Sequence, residues 1–241
     1  MGLKEALLHW VFPRICTACR EDLPPPLEGP LCGSCLLKLR RLSGPACRRC
    51  GKPWAGPEAC CYDCRKKLSP VDAVRAVFPY RTPLPELLYS FKYGGRLWVG
   101  RALGDWMAGA FRLQAGLEGA DALVPVPLHP ARERRRGFNQ ARLLAQAVSR
   151  ASGLPVVEAL HRRRNTRPQW GLSRGEREGR MAGAFEASGP VKGRKVLLID
   201  DVCTSGATLE ACGRALREGG AASVRAFVLA TACGCKCACG P

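Results

Sequence analysis

KVLLIDDVCTSGAT, residues 195–208, decides how the rest of the chain is read. A short apolar run, Val196 to Ile199, reads as a buried strand, and it ends on two adjacent acids, Asp200 and Asp201. Small and hydroxylated residues follow, and then the helical pattern ATLEACGRALREGG. In open parallel sheets, ligands bind beyond the carboxyl ends of the strands. A strand, a small-residue loop and a helix N-terminus together make a cradle for phosphate. Small side chains let backbone N–H groups approach the oxygens, and the helix dipole favours negative charge. Thr204, Ser205, Gly206, Ala207 and Thr208 supply this cradle. Ionised acids beside it would repel a bare anion, unless they accept hydroxyls or hold a cation. A sugar phosphate satisfies both halves, with its vicinal hydroxyls on the acids and its phosphate in the turn.

Outward from that stretch, strands alternate with helices. VRAVFPY (74–80), DALVPVPLHP (121–130) and SVRAFVLAT (223–231) read as strands, the second running into a Pro-rich loop, and LPVVEAL (154–160) as a candidate strand. PELLYSFKYGG (85–95), residues 97–113 and NQARLLAQAVSRASG (139–153) read as helices. In the last of these, Leu144, Ala147, Val148 and Ala151 form an apolar stripe. The alternation predicts an α/β fold with a mostly parallel sheet covered on both faces. Residues 161–180, HRRRNTRPQWGLSRGEREGR, read as a long basic loop, and loops of that length inside a domain are usually functional.

The 241 residues suffice for one such domain plus a small module. Nine of the 15 cysteines precede residue 65, eight of them in four C-x-x-C knuckles: Cys16–Cys19, Cys32–Cys35, Cys47–Cys50 and Cys61–Cys64. Each knuckle aims two thiolates at one metal, so four knuckles make two tetrahedral zinc sites. Sequential and interleaved pairings both satisfy the spacing, and Cys60 could replace Cys61. Closed four-sulfur sites are structural, and with little apolar material between the knuckles the metal supplies much of the folding energy. The division expected is 1–70 for an N-terminal helix and zinc module, 71–232 for the α/β domain, and 233–241 for a Cys-rich tail.

The formal net charge is +18, and between Arg132 and Arg180 there are 13 Arg against 4 Glu. Such a surface attracts phosphate, nucleic acid or anionic membrane, or is simply a solvated face. No apolar stretch approaches the roughly 20 residues of a membrane span. No secretory signal is visible, so the expected location is the cytoplasm, where clustered cysteines do metal or redox work.

IDDVCTSGAT resembles the ribose-phosphate loop of type I phosphoribosyltransferases, which bind phosphoribosyl diphosphate (PRPP). Together with the four knuckles, FKYGGR, RRRGFNQA, TRPQWGLSRGER and the Gly-Ala-Phe at 183–185, the chain resembles the ComF family of competence proteins, with a double zinc ribbon ahead of a Rossmann-like phosphoribosyltransferase domain. The resemblance implies that Lys92, Arg136, Asn139, Gln140, Thr166, Gln169 and Arg177 surround the pocket, and that VPVPLHP serves as the diphosphate loop. Arg180 stands where the family often has Asn. It further implies PRPP with Mg2+ as ligands, Asp200 and Asp201 as catalytic acids, and a part in DNA uptake during natural transformation. Two functions remain open: phosphoribosyl transfer, or non-catalytic handling of single-stranded DNA by the basic loop and zinc module. No side chain announces itself as the base for an acceptor.

Overall fold

The computed structural model describes residues 10, 14–23, 29–66, 68–114, 116–163 and 183–232. The elements, in chain order, are α1 (Gly33–Lys38), α2 (Tyr62–Lys66), β1 (Ala73–Pro79), α3 (Leu84–Tyr93), α4 (Leu97–Phe111), β2 (Ala122–Pro125), α5 (Pro130–Arg136), α6 (Gln140–Ser152), β3 (Leu160–Arg162), β4 (Phe185–Ala187), β5 (Lys195–Cys203), α7 (Ala207–Glu218) and β6 (Ser223–Thr231). Four strands form one sheet in the order β1-β6-β5-β2, every pair parallel.

The period of two along each strand builds both faces of this sheet. Leu197 and Ile199 of β5 pack with Leu123, Phe227 and Leu229 against α4 and α6. Val196 and Leu198 pack with Val124, Ala226 and Val228 against Leu209, Cys212 and Leu216 of α7. A strand buried on both faces must read as a continuous apolar run, as VLLI does. Each of the Val, Leu, Ile and Phe side chains among these contributes about 1.5–3 kcal/mol on burial. The close approach of α4 to α6 depends on Gly104, where a Cβ would come within 2.8 Å of the Ala147 methyl.

The parallel main sheet with helices on both faces and the preceding cysteine module agree with the expectation, and the local readings are corrected as follows. Residues 154–160 are not a strand: Val156 makes a lone parallel bridge to Leu123, and Pro155 has no N–H to extend a ladder. The strand starts at Leu160 and pairs antiparallel with β4, whose three residues sequence reading did not separate from the loop before them. Residues 130–136 form a helix where the sequence pattern assigned no element beyond the Pro-rich loop. Pro130 takes a first-turn position and Gly137 closes the helix at φ 86°. The run hid because none of its residues is buried, so it carries no apolar stripe.

The N-terminal module consists of two copies of one unit, which extends the repeat beyond the knuckles. Ile15 bridges Asp22 and Ala46 bridges Pro53 in short antiparallel turns. The N–H of Arg20 reaches the Cys16 carbonyl and that of Gly51 the Cys47 carbonyl, each at 3.0 Å. Both residues have φ 68°, which glycine adopts freely and Arg20 only under the constraint of the turn. The module also donates to the main core. Leu23 and Leu31 are buried in the same cluster as Leu84, Leu88 and Phe91, so folding energy there is not left to metal alone. The helix expected before Pro13, most of the basic loop and the Cys-rich tail lie outside the described residues, and no helix among those described is long and apolar enough to cross a membrane.

Candidate functional site

β5 carries its two acids to the carboxyl edge of the sheet and buries them, with Asp200 7% and Asp201 4% exposed. The chain then turns through Thr204 and Ser205 to Gly206, whose φ of 84° opens α7. A Cβ at Gly206 would meet nothing, so the backbone angle and not crowding calls for glycine. Ser205 Oγ accepts the Ala207 N–H at 3.4 Å, and the Gly206 carbonyl accepts the Glu210 N–H at 2.9 Å. Thr204 is exposed and Ser205, Gly206 and Thr208 are half-exposed, so the turn faces solvent with the first N–H groups of a helix.

Two distant segments converge on Asp201. Lys92, near the end of α3, forms an ion pair with Asp201 Oδ2, while Gln140 Nε2 at the start of α6 donates to Oδ1 at 3.4 Å. Arg136 in turn donates to Gln140 Oε1, with its guanidinium 5.3 Å from the Tyr93 ring centroid. FKYGGR and RRRGFNQ therefore meet at one carboxylate. Burial alone would raise the pKa of Asp201, but the Lys92 ammonium outweighs it and the value is lowered. Burial and the adjacent Asp201 charge push Asp200 well above the usual carboxylate range. Lys92 is desolvated too, yet Asp201 raises its pKa on balance. The site thus holds one acid bound to a cation beside a second acid whose charged form is disfavoured by burial and by its neighbour.

Of the residues expected around the pocket, Asp200, Asp201, Lys92, Arg136 and Gln140 come together, with the Thr204–Thr208 turn at the end of the same strand. Asn139 is turned inward. Its Oδ1 caps α6 by accepting the Ala141 N–H at 2.9 Å, and its Nδ2 donates to the Val126 carbonyl at 3.1 Å, leaving it a structural role. Thr166, Gln169, Arg177 and Arg180 lie outside the described residues. His129 Nδ1 accepts the Ala131 N–H and caps α5, a role the sequence reading did not assign. Cys203 is pushed up to about 11 by burial, which fits a filler better than a nucleophile. Sequence reasoning missed Arg162 as part of this neighbourhood. Its guanidinium lies 5.3 Å from the Phe185 ring and within electrostatic reach of Asp200, and inside a run of arginines nothing in the sequence marks it out.

The cysteines form two clusters, Cys16, Cys19, Cys32, Cys35 and Cys47, Cys50, Cys61, Cys64, with all sulfurs in each within 4.8 Å of one another. Pairing is sequential, and Cys60 belongs to neither cluster. A tetrahedron with metal–sulfur distances of about 2.3 Å has edges of about 3.8 Å, and Cys19–Cys32 at 3.5 Å and Cys50–Cys61 at 3.8 Å match it. Burial raises the pKa of Cys16 and Cys47, but backbone N–H groups aimed at each sulfur prevail and hold both at about 6. Cys19, Cys35, Cys50 and Cys64 are raised instead, so each cluster holds its first cysteine most readily as a thiolate, and four sulfurs around one metal leave no open position. The second cluster stands against the turn at residues 203–206. A cavity of about 310 Å³ is lined by Cys50, Lys52 and Cys64 on one side and by Cys203, Ser205 and Glu210 on the other.

Residues 7–73 match the double zinc ribbon domain family, and residues 134–236 the phosphoribosyl transferase domain family. Competence protein F of Haemophilus influenzae is 32% identical over 224 residues, which covers 90% of this chain and 96% of that protein. DNA utilization protein YhgH of Escherichia coli is 33% identical over 221 residues, with coverage of 90% and 96%. Competence protein ComFC of Bacillus subtilis is 34% identical over 206 residues, with 83% of each covered.

Proposed function

Because the chain belongs to the ComF family of competence and DNA-utilization proteins, we propose that it binds PRPP, or a related ribose 5-phosphate or nucleotide, at the end of β5 in the service of DNA uptake. The observation that carries this reading is the meeting of Lys92 and Gln140 on Asp201, beside an open turn at a helix N-terminus. A buried acid already neutralised by a cation has no structural need of a glycine-bearing turn next to it, whereas a ribose phosphate uses both.

In this reading Asp200 and Asp201 accept the ribose hydroxyls. The N–H groups of the turn, with the hydroxyls of Thr204, Ser205 and Thr208, hold the 5′-phosphate. Arg136, and Arg177 from the basic loop, face the diphosphate. Lys92 keeps Asp201 ionised in the meantime. An ionised Asp201 favours the positive charge that develops at the anomeric carbon as its bond to diphosphate breaks and an acceptor nucleophile bonds there. The two carboxylates are an oxygen donor set suited to Mg2+. Asp201 already carries Lys92, so the ion would come with the ligand's own oxygens and supply charge neutralisation to the diphosphate.

Calorimetric titration of the zinc-loaded protein with PRPP and Mg2+ tests the reading. Binding should appear in the natural protein and fall by at least about a hundredfold in Asp200→Asn/Asp201→Asn, since charged hydrogen bonds are worth about 1.5–3 kcal/mol each. Diphosphate release in the presence of a panel of acceptors would then establish transfer. The second reading, non-catalytic handling of single-stranded DNA, is favoured by α5, which presents Arg134, Arg135 and Arg136 in its last turn with none of its residues buried. Oligonucleotide binding that falls with salt, in a protein that shows no PRPP binding, would select it.

A further inference from the structure

A groove of about 530 Å³ runs between the first zinc unit and α3, within the range of small-molecule sites. Among its lining residues are Thr17 and Glu86, and each contributes a buried polar atom, Thr17 Oγ1 and Glu86 Oε2, that meets no hydrogen-bond partner among the described residues. Thr17 is 2% exposed. The other Glu86 oxygen accepts from the Thr82 hydroxyl at 3.1 Å, so Oε2 can only accept and Thr17 Oγ1 can donate. Buried polar atoms without partners are rare and call for an explanation. An acceptor and a donor on residues lining one groove suit a ligand whose edge offers both N–H and C=O, as nucleobases do.

The rim adds a polymer's requirements. Tyr89 and Tyr93, 67% and 57% exposed, stand one turn apart on α3 with ring centroids 5.2 Å apart. Arg20 and Arg96 line the groove, which also reaches Lys92 and so borders the acid site. Exposed rings with flanking cations are the usual means of holding single strands, by base stacking and phosphate contact. The basic stretch 132–180 offers only Phe138 and Trp170 as aromatics in the sequence. The groove takes its rings from α3 and its cations from both domains.

We propose that this groove binds single-stranded DNA, with one nucleobase hydrogen-bonded to Glu86 and Thr17, neighbouring bases stacked on Tyr89 and Tyr93, and phosphates against Arg20 and Arg96. The inference rests on the reading that the protein handles DNA, and not on its binding PRPP.

Fluorescence anisotropy of the full zinc-loaded chain, with a labelled 15-nucleotide mixed-sequence strand and with an abasic strand of equal length, tests it. The abasic strand should bind at least about tenfold more weakly to the natural protein, because it keeps the phosphates and loses the stacking. Tyr89→Ala/Tyr93→Ala should weaken the mixed strand by about tenfold or more and erase the difference between strands. Tyr89→Phe/Tyr93→Phe should retain both, and Glu86→Gln should weaken the mixed strand more than the abasic one. Arg20→Ala and Arg96→Ala should each lower the salt slope by about one. Equal affinity for the two strands, or an alanine pair that binds normally, would overturn the groove. So would mononucleotides that bind as tightly as the strand, which would make the occupant a free nucleotide. PRPP titration of the single variant Tyr89→Ala, whose ring is not against Arg136, should match the natural protein. Loss of PRPP binding in the natural protein itself would defeat the ribose-phosphate reading while leaving this one standing.

Discussion

The two zinc units share a fold and differ in what surrounds them. The first is sunk into the protein: Cys16, Cys32 and Cys35 are buried, and Leu23 and Leu31 join the core behind α3. The second stays near the surface, with Cys50, Cys61 and Cys64 half-exposed, and leans on the edge strand through the Val74 N–H on the Arg49 carbonyl and Arg75 on the Arg48 carbonyl. Each meets the candidate site by a different route. The first braces α3, which brings Lys92 to Asp201, and the second walls the cavity beside the turn that opens α7. Identical metal chemistry therefore carries different amounts of the protein's stability, according to how much apolar surface it helps to bury.

The largest expected effect comes from breaking the first unit. Cys16→Ser/Cys35→Ser should lose one zinc and unfold the protein at room temperature, since structural zinc is worth about 10–16 kcal/mol in zinc-finger peptides and whole proteins are stable by only about 5–15 kcal/mol. Metal analysis with circular dichroism reads both outcomes, and a folded one-zinc protein would erase the contrast between the units. Next comes Lys92→Met, which leaves Asp201 buried without its cation and should cost about 3–5 kcal/mol in urea denaturation. Adding Asp201→Asn should restore much of that loss.

Cys64→Ser in the second unit should also remove one zinc but keep the sheet, at a cost within the about 0.5–3 kcal/mol of an ordinary substitution. Hydrogen exchange should then quicken around Val74 and Cys203 more than in α3. The smallest effect concerns pH. The raised pKa of Asp200 gives a stabilising contribution below its unfolded pKa, about 3.9, that is lost as pH rises through the folded value. Asp201 runs the other way, its contribution being present above the unfolded pKa and lost as pH falls through the lowered folded value. Asp200→Asn should therefore raise the urea midpoint near pH 8 and leave it unchanged near pH 3.

Much of the site was legible because its chemistry is local. C-x-x-C spacing, VLLI before two acids, and small residues at a helix start each fix their own geometry within a few bonds. What sequence reading did not foresee shares a different trait. Asn139 and His129 each accept an N–H group of their own helix with a side-chain atom. Helix α5 carried no apolar periodicity, and β3 and β4 are three residues each, too short for any pattern to show.

The sequence by itself determined the metal ligands, the buried central strand and the turn that ends it, because short-range sterics and hydrogen bonding decide those whatever lies around them. Tertiary structure alone decided which thiolate pairs share a metal, that Lys92 and not one of the many arginines neutralises Asp201, and that Thr17 and Glu86 bring unsatisfied atoms to one groove. Choosing a partner for a charge or a hydrogen bond depends on which groups burial brings within reach, and that distance is set by packing across the whole chain.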